Sequence, residues 1–413
     1  MLKAIHLNGQ RLTGHRFEHG REIMRQQGAV LSEYHYDEQH RLKEHRVHPL
    51  DHNGEVTGHY HYRRSYQYDA NSNLRLLTDS RKGQNSYAYD PLDRLTEVIG
   101  FINHVEHFAH DPAGNLLSQS YNGQGRSHGK IKGNRLLMQG DCHFDYDAYG
   151  NLIRERRGAG QRLVRHYRYD SQHRLIGITL PDGSDVAYRY DAFGRRIAKD
   201  MDGKTTQFLW QGERLIAENI HQKGVYGWPL YRSYVYEPGT FTPMALLKGH
   251  GTTHEVYYYQ LDHLGTPQEL TDAGGKIVWS AHYRAYGNVI KFDINEISNP
   301  LQFQGQYYDE ESGLHYNRHR YYNPNTGRYL TPDPIKLAGG LNSYQYVPNP
   351  TGWVDPLGLN ARCPGGKDDS TSESQSEPNP PEVSRNGAFR QAKSDAGIPM
   401  TQQPDFVYDP KTG

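Results

Sequence analysis

Tyr66-Gln-Tyr-Asp-Ala-Asn-Ser-Asn-Leu74 and Tyr87-Ala-Tyr-Asp-Pro-Leu-Asp-Arg-Leu95 carry the reading of the fold. Both run Tyr, any residue, Tyr, Asp, three residues, Asn or Arg, then Leu. The pattern returns at Tyr34 to Leu42, Tyr167 to Leu175 and Tyr188 to Arg196, and more loosely at Phe108 to Leu116 and Phe144 to Leu152. Its aspartates stand at 37, 69, 90, 111, 147, 170 and 191, a period of about 21 with longer steps where loops intrude.

The physics of one unit can be read directly. Residues i and i+2 of a strand share a face, so each Tyr pair lays two rings along one side of a sheet. Asp favours the first position of a type I turn, and three residues on stand Gly114, Gly150 and Gly194, where a left-handed residue closes a hairpin with a bulge. Asp93, His40 and His173 occupy that place in other copies and tolerate the same geometry, while Ser72 fits it less well. Leu begins the return strand. One hairpin cannot bury its own face, so neighbours must stack into one long coiling sheet. Residues 1–300 are therefore expected to be all-β, a ribbon of antiparallel hairpins, with one flank of the sheet left as an edge.

Composition agrees. The chain has 413 residues with 33 Tyr and 43 Gly, 35% hydrophobic and 12% aromatic content, and no formal net charge. A mean hydropathy of −0.91 would suggest disorder, but disorder goes with few aromatics and a charge excess. No apolar run approaches the ~20 residues of a membrane span, and the start lacks the apolar core of a signal peptide. Cys142 and Cys363 are too few for a disulfide framework or a Cys-rich zinc site, and balanced charge gives no general attraction to nucleic acid. His104, His107 and His110, like His59 and His61, have a tempting spacing, but no neighbouring pattern fixes a metal geometry, so no cofactor or metal is assigned.

The repeats resemble those of the Rhs (rearrangement hot spot) family of polymorphic toxins, shared with the C component of insecticidal toxin complexes and with teneurins. Tyr259-Gln-Leu-Asp262-His-Leu-Gly265-Thr-Pro267, Trp279-Ser-Ala-His-Tyr283 and Tyr286-Gly287 are similar to the late core of that family. The densest match is Phe303 to Leu359, with Arg320-Tyr-Tyr-Asn-Pro324, Asp333-Pro-Ile335 and Asp355-Pro-Leu-Gly-Leu359. Two Asp-Pro dipeptides read alone are ordinary turn starters. Brought together, their carboxylates would repel, keeping one protonated and leaving an acid and a base to act on a peptide bond. A fixed guanidinium could orient either one.

The resemblance assigns that chemistry. In the family this block looks like an intramolecular aspartic protease; carried over, Asp333 and Asp355 are the carboxylates, Arg320 the supporting arginine, and Leu359–Asn360 the scissile bond. Lys336 stands where the family usually has Gly, and Asn323 where Asp is common. Lys336 would alter the turn if its position needs a positive φ. A rival route has Asn360 attack its own carbonyl and cut before Ala361, but no activating base for it is visible in the sequence.

Beyond the cut, residues 360–383 read as a disordered linker rich in Ser, Pro and acids, and 384–413 as the start of a toxin domain with a short helix capped at Ser384 or Asn386. Ala388-Phe-Arg-Gln-Ala-Lys and Ala396-Gly-Ile-Pro resemble the opening of HNH/endonuclease VII toxins. No histidine comes after His319, so a nuclease centre of that kind is incomplete here. The four expected segments are thus 1–300 repeats, 301–359 terminator, 360–383 linker and 384–413 toxin start. The resemblance implies a carrier that encloses and releases its own C-terminal toxin in competition between bacteria. Its implied partners are that toxin segment, a type VI secretion spike or adaptor, and carbohydrate. It implies synthesis in the cytoplasm and export without a signal peptide, or attachment to the cell surface. The alternatives are a carbohydrate-binding repeat protein and an inactive remnant.

Overall fold

In the computed structural model the repeats form successive antiparallel hairpins, each strand pairing with its neighbours in sequence. The structure describes residues 2–101, 104–123 and 129–362, with the backbone of 404–408. Among the described residues the non-strand elements are two short 3-10 turns, Ala159–Gln161 and Lys336–Gly339. The helix expected after Ser384 and most of the linker lie outside the described residues.

Each hairpin obeys one rule. The Asp carbonyl accepts the N–H of the residue three ahead, as in Asp93 to Asp90 at 3.0 Å, and the Asp N–H donates to the carbonyl four ahead, as in Asp90 to Arg94 at 3.0 Å. Its Oδ1 also takes the N–H groups of Leu92 and Arg94. All seven expected left-handed positions have positive φ, from 58° at Asp93 to 93° at Gly150, and even Ser72 adopts it, at 68°. A bulge precedes each Asp, for example between Ala88 and Tyr89. Asp262 makes the same turn, with Gly265 at φ 78° and Thr266 closing it, so it is an eighth copy that lacks the second Tyr.

Two side-chain links join one hairpin to the next, which is why the tail of the repeat is fixed. The Arg or Asn four residues after the Asp binds that carboxylate and reaches the next turn: Arg94 bonds Asp90 Oδ2 at 2.7 Å and the Asp111 carbonyl at 2.7 Å. The second Tyr of each pair donates its hydroxyl back to the preceding return strand, Tyr89 to the Leu74 carbonyl (2.7 Å), Tyr169 to Leu152 (2.8 Å) and Tyr190 to Leu175 (2.6 Å). Each such bond contributes about 1 kcal/mol net. The first Tyr points into the core, and Tyr66, Tyr167 and Tyr188 are buried.

Among the described residues the expected single ribbon is divided between two sheets. Strands from Leu2–Leu7 to Leu116–Tyr121 form a 12-stranded sheet with Pro404–Tyr408 on its outer edge, and strands from Lys130–Lys132 to Val289–Asn295 form a 16-stranded sheet. The sheets face each other where Leu2, Ile5 and Leu7 pack with Val235, Met244 and Leu247.

A third sheet of four short strands, Tyr307–Asp309, Leu314–Asn317, Arg320–Asn323 and Arg328–Tyr329, packs against the 16-stranded sheet through Tyr307, Leu314, Tyr316, Tyr321 and Leu330. Arg196 is the polar centre of that contact. Its buried guanidinium pairs with Asp309 at 2.5 Å and stacks over Tyr316 and Phe208 (4.4 and 4.6 Å to the ring centroids). Burial would penalise a lone cation there, and Asp309 together with the rings offsets it.

Candidate functional site

The segment from Phe303 to Leu359 crosses the hairpin turns and bonds to them in series. Arg318 donates to the carbonyls of Phe193 and Gly194, and the Tyr344 hydroxyl to that of Gly150. Asn342 reaches Asn115, and Asn349 reaches Asn73. Four of the hairpin turns, those begun by Asp69, Asp111, Asp147 and Asp191, thereby fix the frame in which the proposed site residues sit.

Arg320 opens the third short strand, immediately after the tight turn Arg318-His319, where Arg318 has φ 50°. Its side chain is 2% exposed and saturated with contacts: Nε donates to the Gly358 carbonyl (2.5 Å), Nη1 to the Ser343 carbonyl (3.0 Å) and Nη2 to Asp333 Oδ2 (2.8 Å). The same Nη2 is 3.5 Å from Asp355 Oδ2, and the guanidinium lies 3.7 Å over the Tyr329 ring. Arg320 thus stands between both carboxylates and also grips the chain one residue before Leu359. A lysine could not fill these roles, since it offers a single ammonium in place of a fork.

Asp355 is 1% exposed and held from three sides. Its Oδ1 accepts the Leu359 N–H at 2.9 Å, its Oδ2 accepts the Tyr329 hydroxyl at 2.8 Å, and its carbonyl accepts Asn317 Nδ2 at 2.8 Å. Asn317 also donates to the Tyr329 oxygen at 2.7 Å, so it steadies both partners.

Asp333 starts a turn like those of the repeats: its Oδ1 takes the Ile335 N–H and its carbonyl the Lys336 N–H, both at 3.0 Å. Lys336 has φ 56°, so the position does demand left-handed backbone and the lysine bears that strain. Burial pushes the Asp333 carboxyl above the ordinary carboxylate range; Arg320 opposes the rise and Asp355 adds to it. Desolvation thus outranks the like-charge repulsion expected from sequence.

Gly339 sets the position of the bond in question. A Cβ there would overlap Asp333 Oδ2 and stand 2.9 Å from the Leu359 carbonyl oxygen, so the carboxylate and that carbonyl crowd the same face of the glycine. The Asn360 side-chain amide lies against the carbonyls of Leu359 and Ala338, and assigned with its nitrogen toward these two acceptors it donates to each at 3.2 Å. Asp333, Asp355, Arg320, Leu359 and Asn360 are therefore one cluster. Tyr329, Asn317 and Gly339 belong to it as well and were not singled out from sequence. Tyr329 is one of 33 tyrosines, and nothing in its spacing distinguishes it.

Other sequence features lie elsewhere. His104 pairs with Glu106 at 2.8 Å and His107 with Glu97 at 3.1 Å, and no group of three metal-ligating side chains is found among the described residues. The second tyrosines of the repeats donate their hydroxyls to backbone carbonyls, and most first tyrosines are buried. No helix of the described residues is long and apolar enough to cross a membrane.

The family model for the Teneurin YD-shell matches residues 63–349. Double-stranded DNA deaminase toxin A of Burkholderia cenocepacia is 38% identical over 328 residues, covering 72% of this chain and 22% of its own length. The probable deoxyribonuclease RhsA of Dickeya dadantii is 34% identical, covering 73% of this chain and 21% of its own, and toxin protein Tse5 of Pseudomonas aeruginosa is 34% identical, covering 71% and 25%. The chain thus spans about a fifth to a quarter of the length of these relatives. Among solved structures, the TccC3-containing Tc holotoxin pore of Photorhabdus luminescens superposes with a TM-score of 0.70 at 18% identity, over 88% of this chain and 19% of that one. That likeness is one of fold.

Proposed function

The chain belongs to the Rhs-type YD-repeat family of polymorphic toxins, and on that premise we propose that its terminator cuts the chain between Leu359 and Asn360, detaching the C-terminal segment from a hairpin shell. The observation that carries this reading is the pair of buried carboxylates bridged by Arg320, with Asp355 on the Leu359 N–H and Asp333 beside the Leu359 carbonyl.

In the proposed reaction Asp355 takes a proton from water, whose oxygen attacks the Leu359 carbonyl carbon. Asp333, whose carboxyl is raised by burial, gives its proton to the carbonyl oxygen. The C–N bond then breaks as the Asn360 nitrogen takes the proton held by Asp355 and the diol returns one to Asp333, leaving a carboxyl on Leu359 and an amine on Asn360. Arg320 positions both acids and Gly358, and the Asn360 amide steadies the oxygen where negative charge grows. Because the cut consumes its own chain, each molecule turns over once.

The shell would carry a C-terminal payload. Relatives named as a DNA deaminase and deoxyribonucleases make a nucleic-acid-modifying payload the class to test, delivered in competition between bacteria through a type VI spike or adaptor. N-terminal sequencing of the small fragment tests the cut: it should begin at Asn360, and Asp333→Asn should remove it. A fragment beginning at Ala361 would replace this chemistry with Asn360 cyclisation.

A further inference from the structure

The two large sheets meet across a polar seam as well as an apolar one. In the 12-stranded sheet Tyr34, His45, Arg64 and Asp79 stand opposite one another across four successive strands. In the 16-stranded sheet Gln260, Glu269 and Ser280 form a second such row. Arg64 reaches Glu269 at 2.6 Å and Ser32 donates to Gln260 at 3.2 Å, so polar bonds tie the sheets together here. Both rows lie inside their sheets, flanked by paired strands.

His45 is the odd member of its row. It is 1% exposed, its ring stacks on Tyr34 at 4.6 Å between centroids and meets Tyr62 edge-on at 5.9 Å. Neither ring nitrogen has a hydrogen-bond partner among the described residues. A phenyl ring would make the same contacts without burying two polar atoms, so what histidine adds at this position is a place for a proton.

A proton on that ring would meet cations and no spare counter-charge. Arg64 stands on the neighbouring strand, and Arg25 lies 5.6 Å over the Tyr34 ring. Asp79 and Glu269 are engaged by Arg64 at 2.6 Å each, Glu269 also by Lys82 at 2.8 Å, and Glu22 by Arg25. Glu237, near Arg25, is pushed toward its neutral form by burial. Burial first, then Arg64 and Arg25, hold the His45 ring well below its ordinary value of 6.5, with Asp79 opposing them.

We infer that His45 is an acid-sensitive latch between the two sheets: neutral, it lets the seam close, and protonated, it is accommodated only when the seam opens. A histidine that titrates lower in the closed form supports closure fully above its open-form value of about 6.5, and that support is lost as pH falls below it. The open form then takes up a proton that the closed form refuses. Each pH unit of further acidification favours opening by about tenfold. Other buried histidines, such as His110 and His315, held down to about 4 and about 3, add to the acid response of the whole chain, so the latch must be read at its own strands.

The test compares the full chain with His45→Phe and His45→Gln by hydrogen exchange at pH 7.5 and 5.0, corrected for intrinsic exchange and read on peptides from Leu42–Pro49 and Tyr62–Tyr68. On acidification, opening of these strands should rise about thirtyfold more in the parent than in either variant. An equal pH response in the parent and both variants would overturn the latch, as would a parent whose seam strands are equally protected at both pH values. A difference spread evenly over all strands would make His45 a contributor to overall stability and overturn it too. So would failure of both variants to fold at pH 7.5, since the ring nitrogens would then be needed for the closed structure itself.

Discussion

Asp355 Oδ1 accepts the backbone N–H of Leu359 at 2.9 Å, so one carboxylate grips the residue whose carbonyl is the proposed point of attack. A loop of four residues, Pro356 to Leu359, therefore folds back on the acid that begins it. This return brings the proposed scissile bond to the two carboxylates without any separate substrate pocket, which is why the Asp-Pro and the Gly-Leu stand so close in sequence. Gly358, at φ 71° and with its carbonyl on Arg320 Nε, makes the return possible.

Gly339→Ala should block cutting without unfolding the shell. Its Cβ would strike Asp333 Oδ2 and press on the Leu359 carbonyl, while the residue itself lies in a short turn outside the sheets. Cleavage monitored on a gel should fall at least a hundredfold, with a melting temperature within about 3 °C of the parent.

Acid stability should depend on Glu269. Burial opposes its charge, but Arg64 and Lys82 hold it down at about 2, below its ordinary value of 4.5. A depressed carboxylate stabilises the fold above its unfolded pKa, and that stabilisation is lost as pH falls toward 2. Glu269→Gln should cost about 3–5 kcal/mol at pH 7 by leaving buried cations underpaired, and the gap should close between pH 4.5 and 2 in denaturant titrations.

The two tyrosines of one repeat should behave differently. Tyr190→Phe removes a 2.6 Å bond to the Leu175 carbonyl and should cost about 1 kcal/mol. Tyr188→Phe removes a buried hydroxyl with no hydrogen-bond partner among the described residues, and should be neutral or stabilising. Urea unfolding of the pair distinguishes these signs.

Lys336→Gly should stabilise the terminator by about 1 kcal/mol, because the lysine is exposed yet holds φ 56°. The gain should appear as a higher urea midpoint for loss of the 303–359 segment, measured in the uncut Asp355→Asn background.

The repeats were legible because a short hairpin imposes local rules. The Asp, the left-handed residue three later and the Tyr pair can each be read within nine residues, and even Ser72, the weakest fit, obeys them. What the Arg or Asn does was not legible, since Arg94 reaches the Asp111 carbonyl in the next hairpin. The eighth turn at Asp262 was hidden because Leu261 stands where the second Tyr would be, although Asp-x-x-Gly was there to be read. At the candidate site, resemblance supplied Asp333, Asp355 and Arg320. Tyr329, Asn317 and Gly339 emerge only from the folded arrangement, because hydrogen bonds across strands and a close approach to a glycine leave no spacing signal.

The most direct test is the intact mass of the purified 413-residue chain beside its Asp355→Asn variant. The account predicts two masses for the parent that meet at Leu359 and Asn360, and one full-length mass for the variant. A single full-length mass for the folded parent, or the same break in the variant, would contradict it.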